Sequence, residues 1–120
     1  VILADTSVWI DHFRHGDERM ATLLNRGQIL MHPFVLGELA LGNLTRRDAI
    51  IAELNELPQM TVAEDYEVME FITQENLFGC GIGFVDAHLL TSVRLTPGTR
   101  ISTRDKRLAA ASTRLGVAYG

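Results

Sequence analysis

The first four residues, Val1-Ile2-Leu3-Ala4, form an unbroken apolar run that stops at an acid, Asp5. A strand with one wet face alternates polar and apolar side chains. A run that is apolar at every position suits a strand covered on both faces, as in a parallel sheet between helices. The rest of the chain keeps to that plan. Residues 6–14 read as a short helix with Trp9 and Phe13 a turn apart, broken at His15-Gly16. Residues 17–26 read as a second helix, with Met20, Leu23 and Leu24 on one face and Gly27 as its stop. Residues 28–32 (QILMH) form a second strand, and Pro33 opens a helix over 33–41, in the first turn where proline is tolerated.

Further on, residues 46–57 are helical and end at Pro58, and residues 60–63 read as a third short strand. Residues 64–77 are a helix with three acids in its first four positions, favourable beside the helix dipole. A glycine-rich turn over 79–83 precedes a helix over 84–95, with Val85, Leu89 and Val93 along one stripe. After a Pro97-Gly98 turn, residues 100–103 give a fourth strand, 105–115 a last helix, and 117–119 a fifth strand. Strands and helices alternate from end to end, which predicts one α/β domain over 1–120 with a parallel sheet. No run approaches the roughly 20 apolar residues of a membrane span. The lone Cys80 excludes an internal disulfide and fits a reducing compartment, so a cytoplasmic protein with no membrane association is expected.

That topology gives meaning to four scattered acids. In open α/β sheets, ligands sit beyond the carboxyl ends of the strands. Asp5 ends strand one, Asp105 lies just past strand four, Glu38 is in the second turn of the helix after strand two, and Asp86 is in the first turn of the helix after the glycine turn. All four can reach one edge of the sheet. Each also has a plain structural explanation: Asp5 and Asp105 as N-caps, Asp86 as a dipole partner. Glu38 is the hardest to explain so, since it interrupts the mostly apolar Phe34-Val35-Leu36-Gly37-Glu38-Leu39-Ala40-Leu41.

Convergence costs energy. Two carboxylates about 5 Å apart repel by roughly 3 kcal/mol at an effective dielectric near 20. Either a proton or a divalent cation must relieve that repulsion. An all-oxygen set that leaves room for water suits Mg2+ or Mn2+ better than zinc. Asp5 and Asp86 are expected as direct ligands, with Glu38 and Asp105 acting through water or a second ion. Other constellations offer less. His12 and His15 lack a zinc-binding helix pattern, His88 reads as core or surface, and the glycine turn lacks the preceding strand and the lysine of a phosphate loop.

The net charge of −4 argues at first against a polyanionic partner, but the distribution is uneven. Residues 48–75 hold eight acids and no Lys or Arg, whereas residues 94–114 hold six basic residues and one acid, Asp105. Ten of the eleven basic residues are Arg, whose planar fork suits phosphate. Arg100, Arg104, Lys106, Arg107 and Arg114 are therefore candidate phosphate contacts beside a candidate metal site.

Asp5-Thr6-Ser7-Val8-Trp9-Ile10-Asp11 resembles the opening of PIN domains, and of VapC-type toxins in particular. The resemblance continues at Gly37-Glu38-Leu39, at Gly83-Phe84-Val85-Asp86-Ala87-His88-Leu89-Leu90, and at Thr103-Arg104-Asp105-Lys106-Arg107-Leu108. It implies a three-layer α/β/α fold with a central parallel sheet of four to five strands. It also implies an Mg2+- or Mn2+-dependent endoribonuclease, the toxin of a toxin–antitoxin pair. The family's acidic quartet maps onto Asp5, Glu38, Asp86 and Asp105, and its hydroxyls onto Thr6, Ser7 and Thr103, expected to orient the acids or hold the metal's water. A cognate antitoxin and a homodimer are further implications; Trp9 and Phe13 on the first helix are candidate antitoxin contacts, with Val8 more expected in the core.

Hydrolysis by an activated water would leave the ribose 2′-hydroxyl uninvolved and give 5′-phosphate and 3′-hydroxyl ends. Two rivals remain at this point. A phosphoacceptor receiver module shares the length, the alternation and Mg2+ at strand ends, but it needs an acidic pair where Asp5 is followed by Thr6-Ser7. A non-catalytic PIN-like interaction domain would keep the fold without the chemistry.

Overall fold

The computed structural model describes residues 1–120. Its central strand is β1 (Ile2–Ala4), flanked in parallel by β2 (Ile29–Leu30) and β3 (Arg100–Ser102), with Leu3 in register with both Leu30 and Ile101. All three residues of β1 are buried, as an apolar run without alternation requires. Between β1 and β2 run α1 (Thr6–His15) and α2 (Glu18–Asn25). Between β2 and β3 run α3 (Pro33–Leu41), α4 (Arg47–Asn55), α5 (Asp65–Gln74) and α6 (Phe84–Leu95), and α7 (Lys106–Arg114) follows β3. The connections out of β1 and out of β2 thus lead to opposite sides of β1. The crevice beyond the carboxyl ends of β1 and β3 lies where the order reverses.

The sheet has three strands, not the expected four to five. The segment expected as the third strand contributes one bridge, Gln59 beside Met31. Met31 N–H donates to the Pro58 carbonyl and Met60 N–H to that of Met31, after which the pairing stops. Three residues on, Ala63 N–H donates to the Ser92 hydroxyl and Glu64 caps α5, so the chain has already turned into the next helix. The segment expected as the fifth strand is likewise one bridge, Ala118 beside Ile101. Val117 N–H is held by the Ser112 carbonyl at the end of α7, which leaves little length for a ladder. Both segments lie where the outer strands were expected; each is too short to count as one.

Helix boundaries follow local chemistry. Asp5 and Asp17 cap α1 and α2 by accepting from the backbone N–H of Val8 and Met20, and Gly16 ends α1 with φ +70°. The residue before Pro33 is a less usual cap: His32 accepts the Phe34 N–H through Nδ1. The main core cluster joins Leu3, Met31 and Ile101 of the sheet region to Trp9, Leu39, Leu90 and Leu108 of four helices. No helix is long and apolar enough to cross a membrane.

His32 is fully buried between the sheet and α6, its Nε2 beside the Ser92 hydroxyl at 3.4 Å and its ring edge-on to Phe34. Burial, with neighbouring His88, pushes its pKa down from 6.5 to about 4. The unfolded chain binds a proton there between those values and the folded chain does not. Stability is therefore full above about pH 6.5 and falls as pH drops toward 4, by about 3 kcal/mol in total. Urea unfolding from pH 7 to 5 should show about 2 kcal/mol of this loss in the native protein. It should be much smaller in His32→Asn, which keeps a capping acceptor and has nothing to titrate; equal pH slopes would contradict this account.

Candidate active site

Three helices begin at the carboxyl end of the sheet, and each brings an acid. Asp5 follows β1 directly and is 6% exposed. Its Oδ1 accepts the Val8 N–H at 3.3 Å and the Ser7 hydroxyl, and its Oδ2 accepts the Thr103 hydroxyl at 2.6 Å. Asp105 follows β3 and caps α7, accepting the Leu108 N–H at 2.9 Å through Oδ1. Asp86 lies in the first turn of α6 and accepts the Gly83 N–H at 3.3 Å through Oδ2. The capping reading of Asp5 and Asp105 is therefore correct. It is also incomplete, because the charges of Asp5 and Asp105 both bear on Asp86.

Glu38 comes from α3. It is exposed, and its Oε1 accepts the Thr6 hydroxyl at 2.8 Å. The hydroxyls singled out in the sequence thus orient acids: Thr6 holds Glu38, and Ser7 and Thr103 hold Asp5 from both sides. Thr103 and Ser7 also serve the β3–α7 turn, since their oxygens accept the backbone N–H of Asp105 at 3.0 Å and of Arg104 at 2.9 Å.

Convergence of the four shows in Asp86. Partial burial raises its pKa above the usual carboxylate value, the Gly83 N–H opposes that, and the charges of Asp5, Asp105 and Glu38 all raise it further. No three of the chain's His, Cys, Asp or Glu side chains approach closely enough to form a ready-made coordination cage. The acids are near enough for the charges of three to bear on Asp86. The N-termini of α1, α6 and α7 supply partial positive charge there, too little to cancel four carboxylates. Donors that are all oxygen, mutually repelling and spaced apart fit a hard divalent cation that keeps part of its water.

The surrounding basic residues differ in their engagement. The Arg104 guanidinium donates to Asp17 at 2.7 Å and lies 3.3 Å from Asp11, turned toward α1 and α2. Arg100 donates to the Ala118 carbonyl, and Arg114 to those of Glu75 and Asn76. Lys106 and Arg107 are exposed at the start of α7. Arg107 lies against Gly81, where a Cβ would stand 2.8 Å from its Cδ.

Of the two candidate antitoxin contacts, Trp9 is corrected by the structure: it is 2% exposed and packs in the core against Phe13. Phe13 does line a cleft of about 310 Å³ with Ile10, Arg14, Leu44 and Ile50, and Glu38 stands at the same cleft. The sequence reading missed Ile10, Leu44 and Ile50. Ile10 alternates into solvent beside a buried Trp9, and no sequence signal joins α4 and the loop before it to α1. His88 belongs to the core, its Nε2 3.0 Å from Asp65 and its ring against Phe34 and Phe84.

A parallel sheet with acids at its carboxyl edge, helped by hydroxyls from the first and last motifs, defines a PIN-like α/β protein. The PIN domain model matches residues 2–113, and the chain belongs to the PIN domain family. It is similar to Ribonuclease VapC32 of Mycobacterium tuberculosis, in strains CDC 1551 / Oshkosh and H37Rv alike: 47% identical over 118 residues, which is 98% of this chain and 95% of the relative. Its fold is similar to the crystal structure of PAE2754 from Pyrobaculum aerophilum, with TM-score 0.68 and 15% identity over 98% of this chain and 87% of that one.

A group whose folded pKa is raised contributes stability at low pH and loses it as pH rises through that value, so ionised Asp86 weakens the metal-free fold near neutrality. Asp86→Asn should raise the melting temperature of EDTA-treated protein at pH 7 by on the order of a degree or two. It should also remove most of the further rise on adding MgCl2. Scanning fluorimetry with and without the ion checks both; a variant that melts lower and still responds to Mg2+ would refute the repulsion argument.

Proposed function

We propose that this chain is a Mg2+- or Mn2+-dependent endoribonuclease, the toxin of a toxin–antitoxin pair, comprising a single PIN-like domain over 1–120. The observation that carries the reading is Asp86, whose proton affinity is raised first by burial and then by the charges of Asp5, Asp105 and Glu38, a repulsion that a divalent cation would relieve. The relative's name, a VapC ribonuclease, supports RNA as substrate. Family membership sets aside the receiver-like signalling alternative.

Asp5 and Asp86 are the proposed direct ligands, with Glu38 and Asp105 completing the site. A bound divalent ion would offset charge on the scissile phosphate and lower the pKa of the attacking water. The chain's own residues do the rest. Ser7 and Thr103 fix both oxygens of Asp5, and Thr6 holds Glu38 toward the crevice. Asp105 commits Oδ1 to the α7 N-terminus and keeps Oδ2 as an acceptor. Glu38 and Asp105, both exposed, are the groups free to take up the proton that leaves water.

The cleft bounded by Phe13, Ile10, Leu44 and Ile50 is the proposed antitoxin seat. Its apolar lining suits an amphipathic segment. Glu38 at its rim would let a bound partner reach the carboxylates. Exposed Tyr66 and Met69 on α5 and Phe84 at the start of α6 support a homodimer.

Incubation of a single-stranded RNA with the protein and MgCl2 should yield fragments with 5′-phosphate and 3′-hydroxyl ends. EDTA should stop the reaction, and Asp5→Asn should slow it about a hundredfold or more. Cleavage that survives both, or ends bearing 2′,3′-cyclic phosphate, would overturn the reading.

A further inference from the structure

Two arginines flank Asp105 closely, at 104 and 107, and they are held in opposite ways. Arg104 is engaged at both ends. Its backbone N–H donates to Ser7, and its guanidinium bridges Asp17, the cap of α2, and Asp11 of α1. Asp17 is itself well covered and anchored to the Met20 N–H. The β3–α7 turn that carries Thr103 and Asp105 is in this way tied to two helices from the other end of the chain.

Arg107 has no carboxylate partner. The other arginines around it are occupied, Arg94 by Glu75 and Arg114 by the carbonyls of Glu75 and Asn76. Its side chain instead lies along Gly81, where a Cβ would come within 2.8 Å of Cδ, 3.1 Å of Nε and 3.2 Å of Nη1. Only a residue without a side chain permits that approach, and the backbone there, at φ +86°, also favours glycine. Gly81 lies two residues before Gly83, whose N–H binds Asp86, and Arg107 lies two after Asp105. The contact therefore joins the glycine turn before Asp86 to the first turn of α7, which follows Asp105. The guanidinium carries five donors with no acid to receive them, and phosphate is the acceptor its fork fits.

We infer that Arg107, bedded on Gly81, binds the phosphodiester of the RNA at the carboxylate site, and that Arg104 is a positioning residue that holds the β3–α7 turn and does not meet RNA. This inference rests on the proposed function for the identity of the polyanion. It divides roles that the sequence leaves equal, since both arginines stand in one basic stretch.

Fluorescence anisotropy with a short single-stranded RNA in EDTA, over a range of salt, reads binding without cleavage; steady-state cleavage in MgCl2 reads KM and kcat. Arg107→Ala should weaken binding about tenfold at low salt. It should also lower the slope of log affinity against log salt by about 0.7, one phosphate contact on a single strand. In cleavage its loss should fall mainly on KM, and Arg107→Lys should recover part of the affinity. Gly81→Ala should weaken binding in the same sense although it removes no charge.

Arg104→Ala should leave affinity and salt slope within twofold and lower kcat. Asp17→Asn should lower kcat similarly, and the double variant should be no worse than the poorer single one. Unchanged affinity and slope in Arg107→Ala, or loss of the salt slope in Arg104→Ala, would overturn the assignment. If the native protein binds RNA through Arg107 but does not cleave it with Mg2+, the proposed nuclease function fails and this inference stands. If it cleaves and Arg107→Ala binds normally, only this inference fails.

Discussion

The hold on Asp5 is the contact on which the arrangement of the site depends. One carboxylate at the end of β1 accepts from its own helix, α1, and from Thr103 at the end of β3, ninety-eight residues away in sequence. The two strands are already paired through Ile2, Leu3 and Ala4, so the Thr103 contact extends their register past the last strand residue. A charged acceptor buried this deeply would be costly without donors. Hydrogen bonds to both oxygens offset that cost beside the apolar sheet. Loss of either hydroxyl would leave Asp5 under-bonded and loosen the turn that Thr103 and Ser7 also support through the N–H groups of Asp105 and Arg104.

The other three acids are held less tightly, and the difference is informative. Asp86 and Asp105 each give one oxygen to a backbone N–H, and Glu38 takes one hydroxyl. Each keeps further acceptor capacity. The resulting electrostatic conflict is concentrated on Asp86, the most confined of the three. Helix N-termini soften it. Arg104, immediately before Asp105, does not neutralise it because Asp11 and Asp17 hold its guanidinium elsewhere. Under the proposed function, a divalent cation would relieve the charge that these basic residues leave unpaired.

Much of this was readable from residues whose role is local. The apolar run before Asp5 fixes a buried strand, Pro33 fixes the first turn of α3, and glycine before 84 fixes where α6 begins; α3 and α6 were expected at the bounds they have. The places of Asp5, Asp86 and Asp105 at helix starts were legible because strand ends and helix starts are short-range features. What failed was longer in range or depended on competition. The outer strands shrank to single bridges because capping at Glu64 and the turn after α7 claim the same backbone. Trp9 was legible as apolar, but its exposure depends on how α1 rolls against the sheet, which the spacing of Trp9 and Phe13 leaves open. The contact between Gly81 and Arg107 joins two turns with no shared pattern, and only a fold could bring it into view.

The charge distribution acquires a sharper meaning from the structure. A chain of net charge −4 with a basic stretch over 94–114 suggested a broad electrostatic footprint. Most of that stretch is internally engaged: Arg94 with Glu75, Arg100 and Arg114 with carbonyls, and Arg104 with two aspartates. Lys106 and Arg107 remain, both at the N-terminus of α7 and next to Asp105. A polyanion attracted to so acidic a protein cannot rely on the long-range field, which is screened beyond about 8 Å at physiological salt. It must be captured at short range, where a free cation, a helix terminus and a bound divalent ion would act together. Such a surface would hold RNA weakly along its length and firmly only where a phosphate enters the crevice, so recognition and hydrolysis would share a single point on the fold.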